Sequence, residues 1–284
     1  MKTLFRAAFL TFWLSWYMTS CVSEPEPSRT RPVIEGWINS DGYPVVIFTS
    51  SLNPEEKDQK ISDRIITWGK VTISDGTDTV ILTGGPDKTI FPPYRYYNFE
   101  LKGKPGKTYY LTAKFEDLYA EAQCYMPEPT PIDSIIIRPI EGIDTLRSGT
   151  LYFTSPKDTP AYYYITILDL KHPEGGDGRP LPAMLGTVKT TEGGKRFEVP
   201  IYNPKNQLDT TTFIPQLRPG QELAINLCRI TEEVYNFWYN YDNSSLFGNS
   251  QFIKTDNPGE IGNIKGGYGV WSAQGISTLK IRVD

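Results

Sequence analysis

The chain has 284 residues, 39% hydrophobic and 22% charged, with 24 Gly and 23 Pro, a balance that excludes a coiled coil, a collagen-like repeat and a wholly disordered chain. The formal charge is -4, and removal of a 20-residue leader carrying Lys2 and Arg6 would leave 264 residues (284 less 20) at -6, so no basic face for nucleic acid is implied. That length suits one large or two ordinary domains.

Residues 1–20 begin with the cations Lys2 and Arg6, run through an apolar stretch from Ala7 to Met18 and end on the small residues Thr19 and Ser20, as a secretory signal does. The apolar stretch of about 12 residues is shorter than the roughly 20 that span a bilayer, so a retained membrane helix is the weaker reading. The following residue is Cys21, and MTSC resembles the lipobox of bacterial lipoproteins, although Met18 stands where Leu is more usual. In that reading Cys21 becomes the acylated N-terminus, and two or more acyl chains hold a soluble domain on a membrane. Residues 21–31 then read as a tether: after Cys21 comes VSEPEPSRTRP, over 22–32, which lacks apolar periodicity, holds three prolines, and reaches roughly 35 Å when extended. Ser23, Glu24 and Glu26 loosely resemble the acidic export tag of Bacteroidota lipoproteins, with a plain solvated linker as the alternative.

From residue 32 to 128 seven short runs, VIEGWI, PVVIFTSSL, KVTIS, TVILT, YRYYNFEL, TYYLTAKF and YAEAQCYM, alternate with turn signals at the spacing of an all-β sandwich. Asp75-Gly76 is the clearest hairpin turn among them. MPEPTPIDS, over 126–134, packs three prolines between two strand-like runs and suits a domain border near Pro129. Beyond it IDSIIIRPI, TLYFTS, AYYYITILDL, AMLGTVKT, KRFEVPIY and QELAINLCRI define a second β-rich unit, closed by NIKGGYGVWSA and STLKIRVD. One short helix is expected near 232–241, capped by Thr231, with Glu232 and Glu233 at its positive end. The fold class is therefore mainly β: an N-terminal immunoglobulin-like or transthyretin-like β-sandwich over 32–128, expected to fold alone, then a β-rich domain over 129–284 carrying one helix.

FGN (247–249) followed by NIKGGYGVW (263–271) resembles the closing signature of a Bacteroidota lipoprotein family, domain of unknown function 4249 (DUF4249). VIEGWI soon after Cys21, the Asp75-Gly76 hairpin, GKTYYLTAKF, the strand from Tyr119 to Pro127 and IDSI extend the resemblance over nearly the whole mature chain. Ser250 departs from the Pro often found after GN, and Ala161 from the polar residue expected before the tyrosines. The resemblance implies no catalytic group. It implies an accessory role in uptake, because family members are often encoded beside TonB-dependent outer-membrane receptors, which is association and not mechanism.

The residues themselves offer little chemistry. His172 is the only histidine, in the Pro/Gly-rich stretch LKHPEGGDGRP, and no G-x-S-x-G elbow accompanies it. Zinc would need more His and Cys ligands, and Asp169, Glu174 and Asp177 lack the spacing of an EF-hand. Glu232 and Glu233, adjacent on a helix, point in different directions and do not flank one bond as a glycosidase pair must. Cys124 and Cys228 read either as buried thiols or, in an exported protein, as a disulfide. On the helix, Val234, Phe237, Trp238 and Tyr241 share one face and leave Tyr235 and Tyr239, four apart, on a side that serves either packing or recognition. Tyr235, Tyr239 and Trp271 are the candidate ligand- or partner-binding residues, and Cys21 is the candidate lipidation site.

The expectation is a noncatalytic, lipid-anchored outer-membrane protein facing the cell exterior, a binding or accessory component associated with a TonB-dependent receptor. It includes no cofactor, no metal and no nucleic-acid partner. An adhesion or envelope-assembly lipoprotein is the alternative.

Overall fold

The apolar runs become strands with few changes of boundary. The computed structural model describes residues 30–52, 60–87, 90, 92–158, 160–171, 183–203, 216–246 and 262–284. In chain order these form β1 (Pro32–Asn39), β2 (Val45–Ser50), a 3-10 turn (Ile61–Arg64), β3 (Lys70–Ser74), β4 (Thr79–Ile81), β5 (Thr83–Pro86), β6 (Tyr94–Tyr97), β7 (Thr108–Phe115) and β8 (Leu118–Tyr125). The second half adds β9 (Ile132–Ile140), β10 (Ile143–Thr154), β11 (Ala161–Asp169), β12 (Ala183–Thr190), β13 (Arg196–Ile201), β14 (Glu222–Ile230), the helix α1 (Glu232–Leu246) and β15 (Tyr268–Arg282). The protein is mainly β. Cys21, His172, Glu174, Asp177 and the FGN stretch lie outside the described residues.

Eight strands share one sheet in the order β12-β11-β14-β15-β1-β2-β6-β5, beside a four-stranded sheet β4-β3-β7-β8 and a three-stranded sheet β13-β10-β9. The first core lies between β1, β2 and β6 of the large sheet and the four-stranded sheet, and includes Ile34, Phe48, Val71, Leu111 and Trp271. The second gathers Leu151 and Phe153 of β10 with Tyr163, Ile165, Ile225 and Leu227 of the large sheet. On β11 the side chains alternate between the two cores: Tyr163 and Ile165 enter the second, while Tyr162 and Tyr164 pack on the first. The near-continuous apolar run AYYYITILD follows from this burial on both faces.

The border expected near Pro129 falls in the connection between β8 and β9, but the large sheet runs across it. β15 pairs in parallel with β1 from Val33 opposite Tyr268 to Asn39 opposite Gln274, and antiparallel with β14 on its other side. Trp271 and Ala273 of β15 are fully buried in the first core. The first sandwich is thus completed by the last strand of the chain, which the expectation of an independently folding 32–128 segment did not contain.

Three departures from the sequence reading have local causes. TVILT divides at Leu82, so that β4 joins the four-stranded sheet and β5 the edge of the large one. β5 can pack there because Gly84 has no side chain; a Cβ would overlap the Tyr94 hydroxyl. YRYYNFEL ends as a strand at Tyr97, since the Asn98 Oδ1 accepts from the backbone N–H groups of Glu100 (2.7 Å) and Leu101 (3.2 Å) and turns the chain. NIKGGYGVWSA and STLKIRVD largely merge into one strand, β15, 15 residues long. Its entry requires Gly269, at φ +104°, where a Cβ would collide with the Ile34 carbonyl.

Candidate functional site

Helix α1 follows β14 directly and lies on β11 and β12. Glu232 and Glu233 occupy its first turn, where the unpaired N–H groups favour negative charge. The Thr231 carbonyl accepts the first-turn hydrogen bond from the Tyr235 N–H at 3.0 Å, while the Thr231 hydroxyl lies 3.8 Å from the Cys124 sulfur. Val234 is fully buried, and Phe237 and Trp238 are half-buried against the first core, as the helical spacing requires.

Two aromatic columns cross this helix. In the first, the Tyr162 ring of β11 lies 5.3 Å from Tyr235, which stacks on Tyr239 at 5.6 Å and 18°. In the second, Tyr164 stacks on Trp238 at 4.8 Å and 17°, and Tyr241 meets Trp238 edge-on at 5.8 Å. Such offset and edge contacts suit aromatic quadrupoles. Lys189 of β12 sits 5.2 Å over the Tyr162 ring and 3.8 Å from the Glu232 carboxylate. A hydrogen bond to Glu232, together with burial, pushes the Tyr162 hydroxyl up to about 12. Burial likewise raises Tyr235, whose hydroxyl also bonds Thr187.

The structure does not bring the three candidate aromatics together. Tyr239 is 48% exposed and available to a partner. Tyr235 is half-buried between Tyr162 and Tyr239 and does not project outward, because the helix lies close enough to the sheet for consecutive positions to reach it. Tyr241, expected on the inner face, stands at its edge and is 38% exposed. Trp271 is a correction. It is fully buried, its Nε1–H donates to the Tyr109 carbonyl at 3.1 Å, and the space for its ring is left by Gly36, where a Cβ would lie 2.9 Å from it.

The closing motif therefore acts in packing. Asn263 clasps the Trp271 backbone from both sides: its Oδ1 accepts from the Trp271 N–H at 2.8 Å and its Nδ2 donates to the Trp271 carbonyl at 2.7 Å. Sequence reading missed Asn263, and missed Lys189 and Tyr164 as members of the aromatic columns. Only the two-residue strand period of AYYYITILD, placing Tyr162 and Tyr164 on one face, signalled any of this.

Elsewhere the polar residues hold structure. Asp169 accepts from the Lys171 N–H at 2.9 Å and from the Gln221 side chain at 3.3 Å. Cys124 and Cys228 are free, buried thiols; burial pushes both up, Cys228 to about 12, so neither is a thiolate at neutral pH. Among the described residues, no group of three or more His, Cys, Asp or Glu side chains is placed to hold a metal, and no helix is long and apolar enough to cross a membrane.

Architecture and site together define a mainly β protein whose two cores share one sheet and whose single described α-helix presents an aromatic edge. Residues 21–280 match the family described as Domain of unknown function (DUF4249), and the chain belongs to that family. No curated protein matches the sequence.

Proposed function

We propose that this chain is a Bacteroidota outer-membrane lipoprotein, anchored through an acylated Cys21 and facing the cell exterior, and that it works without catalysis as a binding component accessory to a TonB-dependent transporter. The observation that carries the binding role is the edge of α1, where Tyr239 and Tyr241 stay exposed while Tyr162, Tyr235 and Trp238 fix their positions from beneath. Rigid aromatics presented this way supply contact area at small entropic cost, and interfaces concentrate their energy in a few such side chains. The anchoring role draws support from the leader and lipobox pattern, and from a family match that begins at Cys21.

The test is co-purification of the full chain with a barrel receptor in mild detergent, comparing Tyr239→Ala with the unaltered protein. Loss of the receptor with an unchanged melting temperature is expected. Full retention of the receptor would remove this edge from the interface. Binding of extracellular polymer by the protein alone, with no receptor recovered, would favour an adhesin.

A further inference from the structure

The feature left without a role is Trp68, which at 89% exposure is the most exposed of the large hydrophobic side chains among the described residues. Its loop is held rigidly. The Tyr94 hydroxyl donates to the Thr67 carbonyl at 2.9 Å, and the Tyr96 hydroxyl donates to the Ile66 carbonyl at 2.7 Å while accepting the Gly69 N–H at 2.9 Å. The Ile66 N–H reaches the Phe48 carbonyl at 3.0 Å, and Gly69 lies so close to the Phe48 ring that a Cβ there would stand 2.9 Å from it. The backbone on both sides of Trp68 is therefore fixed against the first core, and only the indole is left in solvent. Packing among the described residues gives no reason for an indole at that place.

Its position does give one. Thr67 lines the same cleft as Thr30, the first described residue. Thr30 is nine residues beyond Cys21, a span of at most about 30 Å when fully extended. A second exposed apolar side chain, Leu52 at 59%, follows Ser51, whose backbone N–H and hydroxyl are paired with Arg31 at 2.8 and 2.9 Å. Leu52 thus stands where the N-terminal segment enters the fold, and Trp68 follows a residue that lines the adjoining cleft. The charged residues lining that cleft are Asp63, Arg64, Glu116 and Asp117, three acids to one base, so no basic patch draws the protein to anionic headgroups and seating at a lipid surface falls to the apolar side chains. Such a surface fits the boundary between lipid headgroups and acyl chains, where the amphipathic indole is favoured.

We infer that Trp68 seats in the lipid surface to which the Cys21 acyl chains attach, and so sets which end of the protein faces the membrane. This rests on the lipoprotein reading above. The acyl chains supply the anchoring; the indole supplies orientation, so that the α1 edge is presented in a fixed direction.

The test uses the full acylated protein in vesicles of phosphatidylethanolamine and phosphatidylglycerol, with ordinary or brominated acyl chains, and compares it with Trp68→Tyr. Of the other tryptophans outside the leader, Trp271 is buried and Trp37 and Trp238 are half-buried, so the emission present in the unaltered protein and missing from Trp68→Tyr is that of Trp68. Brominated lipid should remove that emission from the unaltered protein and leave Trp68→Tyr unchanged, with equal melting temperatures showing that both are folded. A mass measurement on the same sample reports acylation at Cys21. Acylated protein whose emission is the same in both lipids overturns the inference and leaves the lipoprotein reading standing. Absence of the acyl mass overturns both. Emission insensitive to bromine but altered by an added barrel receptor would assign Trp68 to a protein contact and overturn the lipid assignment.

Discussion

Trp271→Ala separates a packing role for the closing motif from a binding role. The ring is fully buried between β1 and the four-stranded sheet, and its Nε1–H satisfies the Tyr109 carbonyl. Truncation of a buried Trp to Ala costs about 3–5 kcal/mol through lost transfer energy and the cavity left behind. An orphaned buried carbonyl adds about 1 kcal/mol or more. For a chain of this size each kcal/mol moves the midpoint by about 2–4 °C, so a fall on the order of 10–20 °C is expected in a thermal melt followed by circular dichroism. Trp271→Phe, which keeps an aromatic ring but drops the donor, should fall between the two. A change in Trp271→Ala no larger than the roughly 0.5 kcal/mol of an ordinary surface site would refute the core assignment. Lost partner binding at unchanged stability would return Trp271 to the surface role that sequence reading expected.

The Asp75 carboxylate, in the turn between β3 and β4, is held down to about 2 from 3.8, first by the backbone N–H of Asp78 and then by the Lys107 ammonium. A depressed carboxyl stabilises the fold above its unfolded value, so this contribution, at most about 2 kcal/mol, should be lost as pH falls from about 4 to about 2. Asp75→Asn should remove that segment of the pH-stability curve, and an unchanged curve would show that the pair contributes nothing. A fragment of residues 30–128 lacks β15, and with it Trp271 and Ala273; its far-ultraviolet spectrum should lack the strand signal of the full chain, whereas a cooperative melt would show that the first sandwich stands alone. Cys21→Ala should leave the chain unprocessed or free of the membrane fraction, and native protein without a lipid mass at Cys21 would remove the anchor.

Strands were legible wherever a run had a single environment. KVTIS and TYYLTAKF alternate buried and more exposed positions, and β3 and β7 coincide with them residue for residue. TVILT was not legible as two strands, because its division depends on Gly84 admitting the Tyr94 side chain, a contact ten residues away. The pairing of β1 with β15 was equally hidden: VIEGWI carries no mark of a partner more than two hundred positions later. Of the site, the period of α1 placed Val234, Phe237 and Trp238 correctly and left Tyr239 exposed. It misjudged Tyr235 and Tyr241, since a helix lying flat on two strands buries more than one narrow stripe. Trp271 was misread because an aromatic between glycines resembles an exposed loop residue until the opposing strand and Gly36 are known.

The location of β1 also governs how the protein bears load. β1 lies inside the large sheet, bonded to β2 on one flank and β15 on the other, and the N-terminal segment runs straight into it at Pro32. Tension arriving through that segment acts along the strand and strains the bonds of both ladders together, in shear. A strand at the rim of the sheet, such as β5 or β12, could be peeled away one bond after another. The chain therefore receives any pull from its N-terminal side at a mechanically strong point, and the more weakly secured edges of the sheet are spared it.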